Sequence, residues 1–217
     1  MSVNLAHMVQ HTTMKKVGCE LCAHIEIRFI GMDSAYHAMI KQRGVWKMKR
    51  VAEFKKVSYE QFKKDILDIL ENDKYTDIDI KKIYCGISIP KRATSGSAGY
   101  DFVLPVDLEL YPGEEIKIPT GIKCNMVNSF VLQCYPRSGL GFKYRLQLNN
   151  TVGIIDSDYS YSDNEGHIMA KLYNNGNKII KLNAGDKFMQ GIFVEYGITY
   201  DDDVKTTRNG GFGSTGK

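Results

Sequence analysis

An all-β domain preceded by a helical segment is the fold class this sequence predicts. Two observations carry the expectation. From about residue 81 onward, short β-branched and aromatic runs alternate with clusters of Gly, Pro, Asn and Asp, with a turn signal every ten residues or so. Ahead of them, at about 58–71, apolar residues recur at helical spacing with lysines and acids between them. Many short strands of this kind close into a barrel, a sandwich or a jelly roll.

Taken in order, residues 1–47 contain short apolar pieces, four of the five histidines and no lasting period. They are expected to be an extension without fixed structure, and "MKRVAEF" opens at Met48 like a fresh N-terminus. "VAEFKKVS" suits a short strand. Ser58 and Gln61 stand at capping-box spacing, and Phe62, Ile66 and Ile69 then mark the helix at 58–71. "ENDKYTD" breaks it. The strand candidates that follow are "KIYCGISI", "DFVLPVDLEL", "EEIKIPTGIKCNM", "FVLQCYP", "NTVGIID", "HIMAKLYN", "KIIKLNAGD" and "FMQGIFVEYG". The stretch "DDDVKTTRNGGFGSTGK" is polar and glycine-rich and reads as flexible. The expected organisation is therefore an extension (1–47), a strand and helix addition (48–80), a β domain (81–205) and a flexible glycine-rich C-terminal lid (206–217).

Composition excludes several classes. No apolar run approaches the ~20 residues of a membrane-spanning helix, and "MSVNLAHMVQHTTMKK" lacks a signal-type apolar core. A cytoplasmic location is the expectation. The five cysteines, Cys19, Cys22, Cys85, Cys124 and Cys134, are irregularly spaced, which fits reduced thiols rather than a disulfide framework. Residues 1–47 hold six basic against three acidic residues, so +3 of the net +4 lies there and the remaining 170 residues carry +1. The body lacks the basic bias of a direct nucleic-acid binder. The pair Cys19 and Cys22, with His24 nearby, is at most half of a zinc site that His7, His11 and His37 would complete, but nothing in the sequence orders them, and an unstructured extension reads the same way.

Five segments of the β region carry candidate chemistry. In "SAGYDF", Asp101 opens a strand and would organise water or a cation; alone, the segment reads as a turn. In "PRSGLGFK", Pro136 is expected to break a strand ahead of a tight loop. Arg137 there offers a planar fork of donors, Ser138 a hydroxyl and Gly139 close backbone approach, a set suited to phosphate or simply to a solvated turn. In "NNTVGIIDSDYSYSDNEGHIM", an apolar strand runs into Asp156, Asp158 and Tyr159. A carboxylate ending a buried strand is poorly solvated, which suits a general base, although an acidic hairpin turn reads the same way. In "GDKFMQGIFV", Gln190 is a lone amide inside a strand. In "RNGGFGSTGK", Arg208 suits phosphate, Phe212 a flat ring, and Ser214 and Thr215 anionic oxygens.

In this order the five segments resemble the five motifs of the trimeric dUTPase family, as "AGYDF", "PRSGLG", "VGIIDSDY…G", "GDKFMQGIF" and "RNGGFGSTG", over residues 81–217. The resemblance implies a distorted jelly-roll barrel with an N-terminal helical addition, a homotrimer with three sites at subunit contacts, and hydrolysis of dUTP to dUMP and pyrophosphate. That activity limits uracil incorporation into DNA and supplies dUMP for dTMP synthesis. It implies Mg²⁺ held mainly by the triphosphate, with Asp101 acting on the metal outer-sphere, through water. By motif position, Asp156 activates water. Arg137, Ser138, Gly139, Gln190, Arg208, Ser214 and Thr215 meet phosphates, with Ser138 near the bridging oxygen. Asn150, Gly153, Ile154, Ile155, Asp156, Tyr159, Gly166, Met169, Phe212 and Gly213 enclose uracil and deoxyribose, and Tyr159 leaves no room for a 2′-hydroxyl. No membrane and no direct nucleic-acid contact are implied.

Two departures from the family pattern stand out. "SYSDNE" intervenes between Tyr159 and Gly166, about five residues more than usual, and Arg208 stands one residue closer to Phe212. Two other readings share the fold: a dCTP deaminase-type enzyme, and a regulatory protein that binds a protein partner through residues 160–165 or the basic extension. The glycine tail with its phenylalanine argues against the deaminase.

Overall fold

The computed structural model describes residues 48–68, 75–206 and 208. The described residues from Arg50 onward belong to one compact unit. The paired cysteines, with His7, His11, His24 and His37, lie outside the described residues, as do Phe212, Gly213, Ser214 and Thr215.

The expected all-β class is what the structure shows. The strands are β1 (Ala52–Lys56), β2 (Lys91–Arg92), β3 (Tyr100–Val103), β4 (Leu108–Leu110), β5 (Glu115–Pro119), β6 (Ile122–Met126), β7 (Phe130–Pro136), β8 (Leu146–Leu148), β9 (Gly153–Ile155), β10 (Met169–Asn174), β11 (Ile180–Leu182) and β12 (Lys187–Glu195). They pair antiparallel into sheets of order β2-β3-β12-β7-β9, β5-β10-β8, β1-β6 and β4-β11. Phe102, Leu104, Ile118, Ile122, Leu132, Leu146, Leu172, Ile180 and Phe188 project from the strands and their connections into one core. Alternation of inward apolar and outward polar residues fixes which face each strand buries, as in the buried, exposed, buried run of β4.

Helix α1 (Tyr59–Leu67) lies inside the expected 58–71 span, and Asp68 caps its end. Ser58 Oγ accepts from Gln61 N at 3.1 Å, the forward half of the expected capping box. The return half is supplied differently: Glu165, 107 residues away, accepts from Ser58 N at 2.9 Å. Phe62 and Ile66 are fully buried in the same core as the strands. The helix is therefore an integral wall of the barrel core.

The expected strand "KIYCGISI" is not one. Helix α2 spans Asp77–Gly86, so its first five residues are helical. A complete capping box starts α2, with Thr76 and Asp79 each accepting from the other's backbone N–H. Ile80, Ile83 and Tyr84 then fall on one side at helical spacing, and Ile80 is buried. The cap nucleates a helix that the β propensity of Ile, Tyr and Cys does not resist. Among the described residues, no helix is long and apolar enough to cross a membrane.

Candidate active site

The large sheet gathers one set of polar groups at the shared end of β3, β12 and β7. Register places Gln190 of β12 opposite Asp101 of β3 on one side and Tyr135 of β7 on the other. Arg137 follows β7 directly and is held by a backbone bond to Phe188 O at 3.0 Å. Its guanidinium donates to Asp101 Oδ1. Lys187 Nζ pairs with the other carboxylate oxygen at 2.8 Å. Asp101 is buried, and burial pushes its carboxyl up. The bonds and charges of Lys187 and Arg137 outweigh that and hold it below the usual carboxylate range. Two cations share one anion, which leaves net positive charge suited to phosphate. Gln190 Nε2 is oriented by Pro136 O at 3.4 Å.

Pro136 ends β7 rather than breaking it early, and the expected tight loop is the start of a short helix, α3 (Ser138–Tyr144), with Arg137 at its N-cap position. The first N–H groups of a helix have no acceptor inside it. Ser138 and Gly139 therefore keep backbone donors at the helix start, as the expected loop would.

A second set lies at the far edge of the sheet. Asn150 precedes Thr151, which turns the chain with φ +65° into β9. β9 delivers Asp156, and a 3-10 turn (Ser157–Tyr161) carries Asp158 and Tyr159. Arg208 closes on both acids: its terminal nitrogen pairs with Asp156 Oδ2, and its Nε donates to Asp158 Oδ1 at 3.0 Å. The guanidinium carbon lies 5.8 Å from the Tyr159 ring centroid. Tyr159 is buried; its hydroxyl donates to His167 O at 3.0 Å and accepts from Asn164 Nδ2 at 2.8 Å.

The two sets do not meet within one chain. β9 runs antiparallel to β7 with Ile155 opposite Leu132, which sets Asp156 level with Val131. Arg137 stands six residues farther along β7, roughly 20 Å at the rise of a strand.

A family model described as dUTPase matches residues 86–216. The chain belongs to the dUTPase family. The deoxyuridine 5′-triphosphate nucleotidohydrolase of Lactococcus lactis subsp. lactis is 42% identical over 134 residues, 60% of this chain and 89% of that protein. The enzyme of the same name from Shewanella amazonensis is 37% identical over 153 residues, 65% of this chain and 97% of its own length. Among solved structures, the dUTPase from Streptococcus mutans superposes with a TM-score of 0.50 at 31% identity, covering 67% of this chain and 97% of that one.

The dUTPase motifs thus fall on the sheet in two places. Asp101, Arg137, Ser138, Gly139 and Gln190 share one end. Gly153 of β9 lies opposite Cys134, with Asn150 just before it, and Ile154 and Ile155 carry the chain along β7 to Asp156 and Tyr159 at the other end, from which Gly166 and Met169 lead into β10. The poorly solvated Asp156 expected from sequence is not found in the chain alone. Its side chain is 48% exposed, because β9 is a three-residue edge strand with a neighbour on one side only. Arg208, expected to meet phosphate, is here the counter-ion of Asp156 and Asp158. Sequence reasoning missed Lys187, although it lies inside the fourth motif; it stands opposite Val103 and reaches Asp101 diagonally, a signal only once the register is known. It also missed the contact of Asp65 with His167.

Proposed function

We propose that this chain hydrolyses dUTP to dUMP and pyrophosphate in sites completed between subunits of a homotrimer. The single observation that carries the reading is the separation of Asp156 from Arg137 along β7. A base that delivers water to a phosphorus and a loop that grips the same triphosphate must lie within one nucleotide of each other. At roughly 20 Å apart in one chain they do not, so the Asp156 half of one subunit is taken to face the Arg137 half of another.

In this reading the hairpin from Asn150 to Ile155 meets the uracil edge through backbone and amide groups. A wrong base leaves buried groups unpaired, which is a strong basis for rejection. Tyr159 packs on the deoxyribose. Arg137, Ser138, Gly139 and Gln190 hold the phosphates, with Arg208 and Phe212 arriving from the glycine-rich tail together with Gly213, Ser214 and Thr215. Asp156 takes a proton from water as its oxygen attacks the α-phosphorus, and the bond to the bridging oxygen breaks to release pyrophosphate. Arg137 and Ser138 stabilise the charge left on that leaving group. The product dUMP serves dTMP synthesis, removal of dUTP limits uracil incorporation into DNA, and the location is cytoplasmic.

Mg²⁺ fits this set in a limited way. Among the described residues no group of three or more His, Cys, Asp or Glu is assembled to cage a metal. Asp101 offers one ionised carboxylate, held between Lys187 and Arg137. Mg²⁺ keeps several waters and prefers phosphate oxygens to all-protein cages. The donor set therefore suits an ion held by the triphosphate whose waters Asp101 orders. When bound, it neutralises phosphate charge.

Pyrophosphate release measured with dUTP, dCTP, dTTP and UTP is expected to occur with dUTP alone. Replacing Asp156 with Asn should lower kcat by about 10²- to 10⁴-fold. An Asp156→Asn variant with unchanged turnover would remove the proposed base, and ammonia release from dCTP would make the chain a deaminase.

A further inference from the structure

Helix α1 lies ahead of the stretch that matches the family model, yet it is bonded to the loop that carries Tyr159. Asp65 on α1 accepts from Gln61 Nε2 at 2.8 Å and is hydrogen-bonded to His167 Nδ1. The other ring nitrogen of His167 accepts from Gly121 N at 2.7 Å. With Nε2 an acceptor, the ring proton sits on Nδ1 and is donated to Asp65. His167 is fully buried, so its ring is locked between α1 and the β5–β6 turn.

The same residue holds the ligand-facing side, because the His167 carbonyl accepts the Tyr159 hydroxyl at 3.0 Å. A second tie runs through Glu165, which accepts from Ser58 Oγ at 2.5 Å and from Ser58 N at 2.9 Å, with Lys123 Nζ 3.6 Å away. Glu165 has φ +59°, a conformation that a non-glycine residue rarely keeps without outside support. Ser58 supplies that support from the N-cap of α1. Both ties fall at or beside the residues that lengthen this loop relative to the family pattern. Helix and loop therefore read as one device.

We propose that α1 positions the deoxyribose pocket: Asp65 and Glu165 fix the 157–167 loop against the helix, and this sets the ring of Tyr159 where a 2′-hydroxyl is rejected. Asp65 and Glu165 are positioning residues that touch neither substrate nor reacting atoms. The proposal rests on the reading of Tyr159 as the residue facing the sugar.

Steady-state kinetics with dUTP and UTP, run well below each melting midpoint, test it. In Asp65→Ala and Glu165→Ala, KM for dUTP should rise about tenfold with kcat within about threefold, and the dUTP/UTP ratio of kcat/KM should narrow about tenfold. Asp65→Asn keeps an acceptor for His167 Nδ1 and should return both values to within about threefold of wild type. If Asp65→Ala does not fold, Glu165→Ala, at a half-exposed site, carries the test. Variants that melt earlier but keep KM and the dUTP/UTP ratio would reduce the ties to stability alone and overturn the proposal. Tyr159→Ala separates the two levels. If it leaves the ratio unchanged, the sugar-facing reading of Tyr159 fails; if it collapses the ratio while the Asp65 and Glu165 variants do not, only the positioning role fails.

Discussion

Asp101 shows how a single carboxylate is set by its neighbours. Burial works against its charge, while Lys187 and Arg137 more than compensate, so its folded pKa lies below the ordinary value. A depressed carboxylate contributes stability that is present above its unfolded pKa, about 4, and is lost as pH falls through the lower folded value. Thermal denaturation from pH 7 into the acid range should therefore show a smaller loss of melting temperature in Asp101→Asn than in wild type. An identical acid loss would mean that the ion pairs do not hold in solution. The thiols give an independent check at this scale. Burial pushes Cys124 and Cys134 up to about 12, whereas Cys85 is exposed. Thiolates are the reactive form. Of these three, Cys85 should alkylate in the native protein, and Cys124 and Cys134 only after unfolding, as read by peptide mass. The residue types at Asp101, Arg137 and Asp156 were legible in sequence because turn-forming neighbours frame them. Lys187 was not, since its partner is named only by the register of β12 on β3.

Among elements, the loop between Tyr159 and β10 is tightly specified. Gly166 has φ +70°, and a Cβ there would lie 2.5 Å from Ser160 Cα and 2.7 Å from Tyr159 O. Backbone atoms cannot step aside as a side-chain tip can. Gly166→Ala should cost about 2 kcal/mol of stability, and unfolding at a wild-type midpoint would contradict the packing described. Strands were legible where apolar residues alternate and turns punctuate, as in β3, β5, β7 and β12. The run at Lys82–Gly86 was not, because two cap residues upstream, Thr76 and Asp79, decide its state and the β propensity of Ile83 and Tyr84 does not. The tie between α1 and His167 was illegible for a different reason: Asp65 and His167 stand 102 residues apart, and neither has a local pattern that names the other. The tail was read from sequence as a glycine-rich lid, and of that lid only Arg208 lies among the described residues from 207 onward. Truncation after Lys205 is expected to leave a folded protein that hydrolyses dUTP very poorly. Full activity in that variant would remove the tail from the site.

At the scale of the whole molecule, one strand organises the function. β7 holds Arg137 at its exit and supports β9 with Asp156 near its entry. A strand is stiff, so the two halves cannot fold together within a chain, and symmetry is the economical way to bring them face to face. The motifs named the candidate residues, and the register of β9 on β7 sets Asp156 and Arg137 far apart in one chain. Mixing two crippled subunits tests this most directly. Asp156→Asn and Arg137→Ala homotrimers, each nearly inactive, are unfolded together, refolded as a mixture and assayed for pyrophosphate release from dUTP. If each site takes Asp156 from one chain and Arg137 from another, random mixing restores both wild-type groups in about a quarter of sites, and activity should recover to about that fraction. If the mixture stays as inactive as its parents, both groups come from one chain and the account is wrong.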